Sequence, residues 1–104
     1  MSSHTFVTFG WRTGSLDDRA EQLQRALDVE LEPRDSLYRG EYYRWDGTHG
    51  AEIVLQENFI EADDGLRCYD QYSEHVVLLF GTDLASNWVE RIAGLGGVDR
   101  LSDD

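Results

Sequence analysis

A chain of 104 residues is long enough for one ordinary domain and too short for two, so residues 1–104 read as a single unit. Its hydrophobic content of 40% and charged content of 29% suit a globular rather than a disordered chain. Nine Arg and no Lys stand against 21 Asp plus Glu, a net charge of −12, which argues against direct binding to nucleic acid or to an anionic membrane surface, because both need clustered bases.

The same charge favours a basic protein partner, since opposite potentials steer association; it also serves solubility by itself. The single cysteine, Cys68, allows no internal disulfide and suits a reducing cytoplasm. The start, MSSHTFVTFGW, has neither a basic region nor a long apolar run, which predicts no signal peptide. No stretch approaches the ~18 apolar residues of a membrane-spanning helix.

In chain order, Thr5 to Trp11 alternates as a first strand, and Thr13-Gly14 is a turn. Ser15 is an N-cap for an amphipathic helix from Leu16 to about Val29, with Leu16, Ala20, Leu23 and Leu27 as its apolar stripe. Pro33 turns Glu32 away from helical geometry and closes that segment. Ser36 to Asn58 then reads as a long hairpin. Its first arm carries Tyr38, Tyr42, Tyr43 and Trp45, Asp46-Gly47 opens the turn, and Ala51, Ile53 and Leu55 alternate along the return. Leu37, Arg39, Glu41, Tyr43 and Trp45 share one face of the first arm, and Tyr38, Gly40, Tyr42 and Arg44 the other.

Asn58 to Glu74 is expected to be a loop or irregular edge, with Leu66 to Tyr72 as a short strand. HVVLLFG, His75 to Gly81, is the most apolar run, and a strand apolar on both faces belongs at the centre of a sheet. Helices would cover one of its faces, and hairpin aromatics or a second subunit the other. Asp83 or Thr82 is placed to cap a second helix through Ala93, with Leu84, Ala85, Trp88, Val89 and Ile92 as its stripe and Gly94 to Gly97 as its stop. The tail VDRLSDD is able to add a short edge strand. These elements predict an α+β two-layer sandwich ordered β-α-β-β-β-α, with a mostly antiparallel sheet and both helices on one face.

Catalytic chemistry finds little material. A thiol nucleophile at Cys68, with His75 and Asp70, would lie among acids that raise rather than lower a thiol pKa. His49, Glu52 and Asp46 fall short of a metal-ligand spacing, and Asp63-Asp64-Gly65 lacks the alternating acids and closing Glu of a calcium loop. Neither nucleotide-binding glycine pattern occurs. No enzyme, cofactor or metal is expected.

The acids are better organised. From Asp46 to Glu74 eight Asp and Glu face the single base Arg67, so this segment carries −7 of the chain's −12. Tyr43, Trp45, Phe59, Tyr69 and Tyr72 lie in or beside it, and acids mixed with aromatics make a docking surface for a basic protein. The bland reading is a solvated acidic edge over core aromatics. The expected binding residues are Trp45, Asp46, Glu57, Glu61, Asp63, Asp64 and Asp70, with Tyr42 as a flanking anchor.

The layout YRGEYYRWD…EIVLQEN, then an acidic stretch, then HVVLLFGTD leading into an amphipathic helix, resembles small immunity proteins of bacterial polymorphic toxin systems, actinobacterial ones especially. The likeness runs from Ser36 to Ile92 and brings no residue motif with it. It implies a cytoplasmic, non-enzymatic protein that binds a cognate toxin domain and blocks its active site. Such toxins often attack nucleic acids and are basic, which would match an acidic inhibitor. The alternative is a homo-oligomeric structural or small-ligand-binding domain, a homodimer for example, whose open sheet face pairs with a second copy.

Overall fold

The computed structural model describes residues 5–36, 40–47, 50–58, 60–62, 65–67 and 75–103. The chain runs β1 (Phe6–Trp11), α1 (Leu16–Leu27), β2 (Glu32–Ser36), β3 (Gly40–Asp46), β4 (Glu52–Glu57), β5 (Ile60–Ala62), β6 (Gly65–Arg67), β7 (Val77–Thr82), α2 (Ser86–Ala93) and β8 (Val98–Asp103). Six strands form one sheet in the order β2-β3-β4-β7-β1-β8, every pair antiparallel, and β5-β6 is a separate two-stranded hairpin. This is the expected α+β sandwich, widened by an edge strand at each side.

Each element follows from local chemistry. Ser15 sits in extended backbone and its hydroxyl accepts from the Asp18 N–H at 3.2 Å, which satisfies one orphan donor of α1. Leu16, Ala20, Leu23 and Leu27 are the buried stripe of that helix. Asp28 ends it in the left-handed region at φ 53°, and the Gln24 side chain accepts from the Leu31 N–H at 2.8 Å. That bond directs the chain into β2.

Strand β2 is a departure from the expectation that Pro33 merely closes the helical segment. EPRDS pairs along β3 from Glu32 opposite Arg44 to Ser36 opposite Gly40. Proline is tolerated there because β2 is an edge strand, where a missing N–H costs no ladder bond. Its charges also blunt the open edge against pairing with another chain.

The helix-facing side of the sheet holds the dry core. Val7, Phe9 and Trp11 from β1, Ile53 and Leu55 from β4, and Val77 and Leu79 from β7 meet the α1 stripe and Ile92 of α2. Burial of such side chains stabilises by roughly 1.5–3 kcal/mol each. Strand β7 is central, as its two-sided apolar pattern requires: Leu78 points the other way and is also fully buried. On that second face Thr8, Val54 and Gln56 join Leu78 as buried residues within the single chain. At these positions the face does not need a second subunit to cover it.

The second helix differs from expectation at its start. Its N-cap is Ala85, with no side-chain cap. Asp83 has φ 51° and turns back instead, accepting from the Thr5 N–H at 2.7 Å, while its own N–H donates to the Thr5 carbonyl at 2.8 Å. The bonds extend the β1–β7 ladder and take the carboxylate away from α2.

Candidate functional site

Strand alternation decides how the expected binding residues are arranged. Tyr43 and Trp45 lie on the helix-facing side of β3 and pack against the core; Tyr42 belongs to the opposite face. Tyr42 and Trp45 therefore do not share a surface. Asp46 ends β3 opposite Glu52, whereas Glu57 ends β4 opposite Val77, five residues further along. Five strand residues span about 17 Å, so the two carboxylates mark opposite ends of the hairpin. Glu61 lies in β5, paired through its backbone with Leu66. Asp63, Asp64 and Asp70 lie outside the described residues, as does Tyr38.

What the fold assembles around Trp45 is a groove that the sequence reading did not contain. The Trp45 and Trp88 rings meet at 4.7 Å between centroids, tilted by 50°. With Gly47, Ala51, Asp83, Leu84 and Ala85 they line a groove of about 580 Å³. Two glycines permit it. The Trp45 ring lies over Gly47 so closely that a Cβ there would overlap it, and a Cβ on Gly81 would stand 2.5 Å from Leu84 Cδ1. Leu84 thus seats on bare backbone and forms the groove floor. The two tryptophans remain half-buried, although both touch the core. An apolar, partly wet aromatic pair of this kind is the usual anchor of a protein interface.

One acidic residue, Asp83, lines the groove. Asp46 and Glu52 end the adjoining hairpin strands with their side chains on the sheet face opposite Trp45. Arg44, on the opposite face, holds both: its Nε donates to the two Asp46 oxygens at 3.1 and 3.0 Å, and an NH2 nitrogen donates to Glu52 at 3.0 Å. The bond from Arg44 is the main cause that keeps the Asp46 carboxyl below its ordinary pKa. In turn, Asp46 first and Glu52 next raise that of the guanidinium.

A second concavity, about 450 Å³, lies at the β2–β3 edge beside the start of α1. Tyr42, Asp35, Glu41 and Asp17 contribute to its wall. The Tyr43 hydroxyl donates to Asp17 at 2.6 Å, and that bond is the main reason its phenol pKa is raised.

The histidine weighed for nucleophilic chemistry is otherwise engaged. His75 is buried, its Nε2 lies 2.9 Å from Asp99 Oδ2, and Arg12 Nε donates to the same oxygen at 3.2 Å. These two bonds, His75 first, hold the Asp99 carboxyl below its ordinary pKa. The Asn58 amide donates to the His75 carbonyl at 2.8 Å, which fixes the entry into β7. Cys68 and Asp70 lie outside the described residues. Among the described residues no three His, Cys, Asp or Glu come together as metal ligands, and no helix is long and apolar enough to cross a membrane.

The arrangement defines a small α+β domain with an open aromatic groove on the helix-facing side of its sheet. No protein-family model matches the chain, and no curated protein gives a significant match.

Proposed function

We propose that the chain is a non-enzymatic acidic binding protein of the immunity type, which neutralises a cognate basic toxin domain in the cytoplasm by covering its active site. The observation that carries this reading is the charge of −12 combined with the use made of the bases. Arg12, Arg25, Arg34 and Arg44 are tied to the chain's own carboxylates. Exposed carboxylates such as Asp18, Asp35, Glu41 and Glu57 are left as the excess that a basic surface would meet. A toxin site that holds phosphate with Lys and Arg offers donors for which carboxylates are strong acceptors. Such charges chiefly raise the association rate and reject wrong partners. Neither cofactor nor metal enters this function.

The self-associating alternative draws less support, because Val54, Gln56 and Leu78 on the second sheet face are buried inside one chain. The test is to search the genes beside this one for a basic toxin domain and to express that domain with and without this chain. The expected result is protection of growth, and a 1:1 complex whose association slows steeply with added salt. No protection, or a complex indifferent to salt, overturns the proposal.

A further inference from the structure

We infer that the concavity at the β2–β3 edge is the seat for one Lys or Arg side chain of a basic protein partner. The inference rests on the acidic-binding reading above and adds where the partner's cation enters. Asp17, Asp35 and Glu41 all line the concavity. Asp35 and Glu41 stand directly opposite each other across the β2–β3 ladder, on the helix-facing side that Tyr43 also takes. Asp17 comes from the first turn of α1 and accepts from the Tyr43 hydroxyl at 2.6 Å. The phenol pKa is raised chiefly by that bond and also by the charge of Glu41, so acids from the helix and from the hairpin face one space.

The groups that line the concavity select its occupant. Like charges directly opposite in a ladder repel, and among the described residues neither Asp35 nor Glu41 has an ion-pair partner. The base in the lining, Arg34, belongs by alternation to the other face of β2 and is bonded to Glu32 at 3.1 Å. The N-terminus of α1 adds only about half a positive charge, and Asp17 and Asp18 already meet it there. The balance stays negative. A bare metal ion does not fit, because among the described residues no three acids come close enough to share one. Acids spread around about 450 Å³ suit a longer, organic cation. Tyr43, Leu16 and Pro33 complete the lining and give its methylene stem an apolar wall, while the charged head meets the carboxylates. A second copy of this chain, at −12, is repelled as a whole.

The test is an amide NMR titration of the whole chain with two capped pentapeptides. They are Gly-Ser-Arg-Ser-Gly and its citrulline counterpart, in which a neutral urea of the same shape replaces the guanidinium. The arginine peptide should shift the amides of Asp17, Asp35, Glu41 and Tyr43, and the citrulline peptide should not. Asp35→Asn with Glu41→Gln should weaken binding about tenfold, the loss expected for charge-assisted hydrogen bonds. The same pair of changes should not lower the urea midpoint, because it removes a like-charge pair. Glu30→Gln with Glu90→Gln takes equal charge from exposed positions elsewhere and should leave the affinity unchanged.

Equal binding of the citrulline peptide, or equal loss from the two double variants, overturns the inference. A urea midpoint that falls shows that the carboxylates hold the fold instead, and overturns it as well. Shifts centred on other carboxylates overturn the seat and leave the acidic-surface reading standing. Amide signals that move with protein concentration alone identify a second copy as the occupant and overturn the inference. Absence of binding by the arginine peptide overturns the seat alone, since the reading beneath it fails separately, in the toxin-protection experiment.

Discussion

Trp11 and the Trp45–Trp88 pair sit on the same face of the same sheet, near opposite ends of its strands, and meet different fates. Trp11 is fully buried, with the Arg19 guanidinium 5.6 Å from its ring centre. Trp45 and Trp88 are half-buried. The difference lies in the covering helices. With twelve residues α1 reaches about 18 Å and buries four side chains, whereas α2, with eight, reaches about 12 Å and fully buries only Ile92. A short second helix leaves one end of an otherwise dry core open, and the aromatics there become surface. A closed core and an open aromatic end thus share one sheet face.

The largest effect should come from removing the closed end. Trp11→Ala should cost about 3–5 kcal/mol in urea unfolding, as expected for a large buried aromatic. Trp88→Ala should cost less than half as much, because its ring is already partly in water. Equal losses would erase the distinction between the two ends.

A smaller effect should follow at the glycine beneath the groove. Gly81→Ala would bring a Cβ within 2.5 Å of Leu84 Cδ1 and 3.0 Å of Val7 Cγ1, so Leu84 must swing away. The expected loss is about 1–2 kcal/mol, with added acrylamide quenching of tryptophan fluorescence as the floor opens. Quenching that does not change would show that Leu84 is not the floor.

The smallest effect is electrostatic. The Asp99 and Asp46 carboxyls are held below the ordinary value of 3.8 in the folded chain. A depressed carboxyl stabilises the fold above its unfolded pKa, and that contribution is lost as pH falls through the folded pKa. Asp99→Asn should therefore flatten the fall in stability below about pH 4, while leaving neutral-pH fluorescence of the Trp45–Trp88 pair as it was. An acid limb identical to that of the parent chain would mean that the His75–Asp99–Arg12 bonds contribute nothing.

Much of this division was legible in the sequence, and the part that was not has a common cause. The Leu16–Leu27 stripe, the Ser15 cap, the Asp46-Gly47 turn and the two-sided β7 run all declare themselves locally, and each is present. Strand β2 was not legible because EPRDS has no apolar alternation; it is held by backbone pairing to β3. Asp83 looked like a cap because only its neighbours in sequence were in view, while its actual partner is Thr5. The candidate site shows the same limit. Period-two alternation already puts Tyr42 and Trp45 on opposite faces, but nothing local brings Trp88 to Trp45. That contact, and the groove it makes, arise from packing between elements more than forty residues apart.

With only three tryptophans in the chain, one measurement addresses the central claim. The chain is labelled with 5-fluorotryptophan and its ¹⁹F spectrum is followed as light water is exchanged for heavy water. The account predicts that the Trp45 and Trp88 resonances move while that of Trp11 stays fixed. An exchange that leaves both of them unmoved would contradict it.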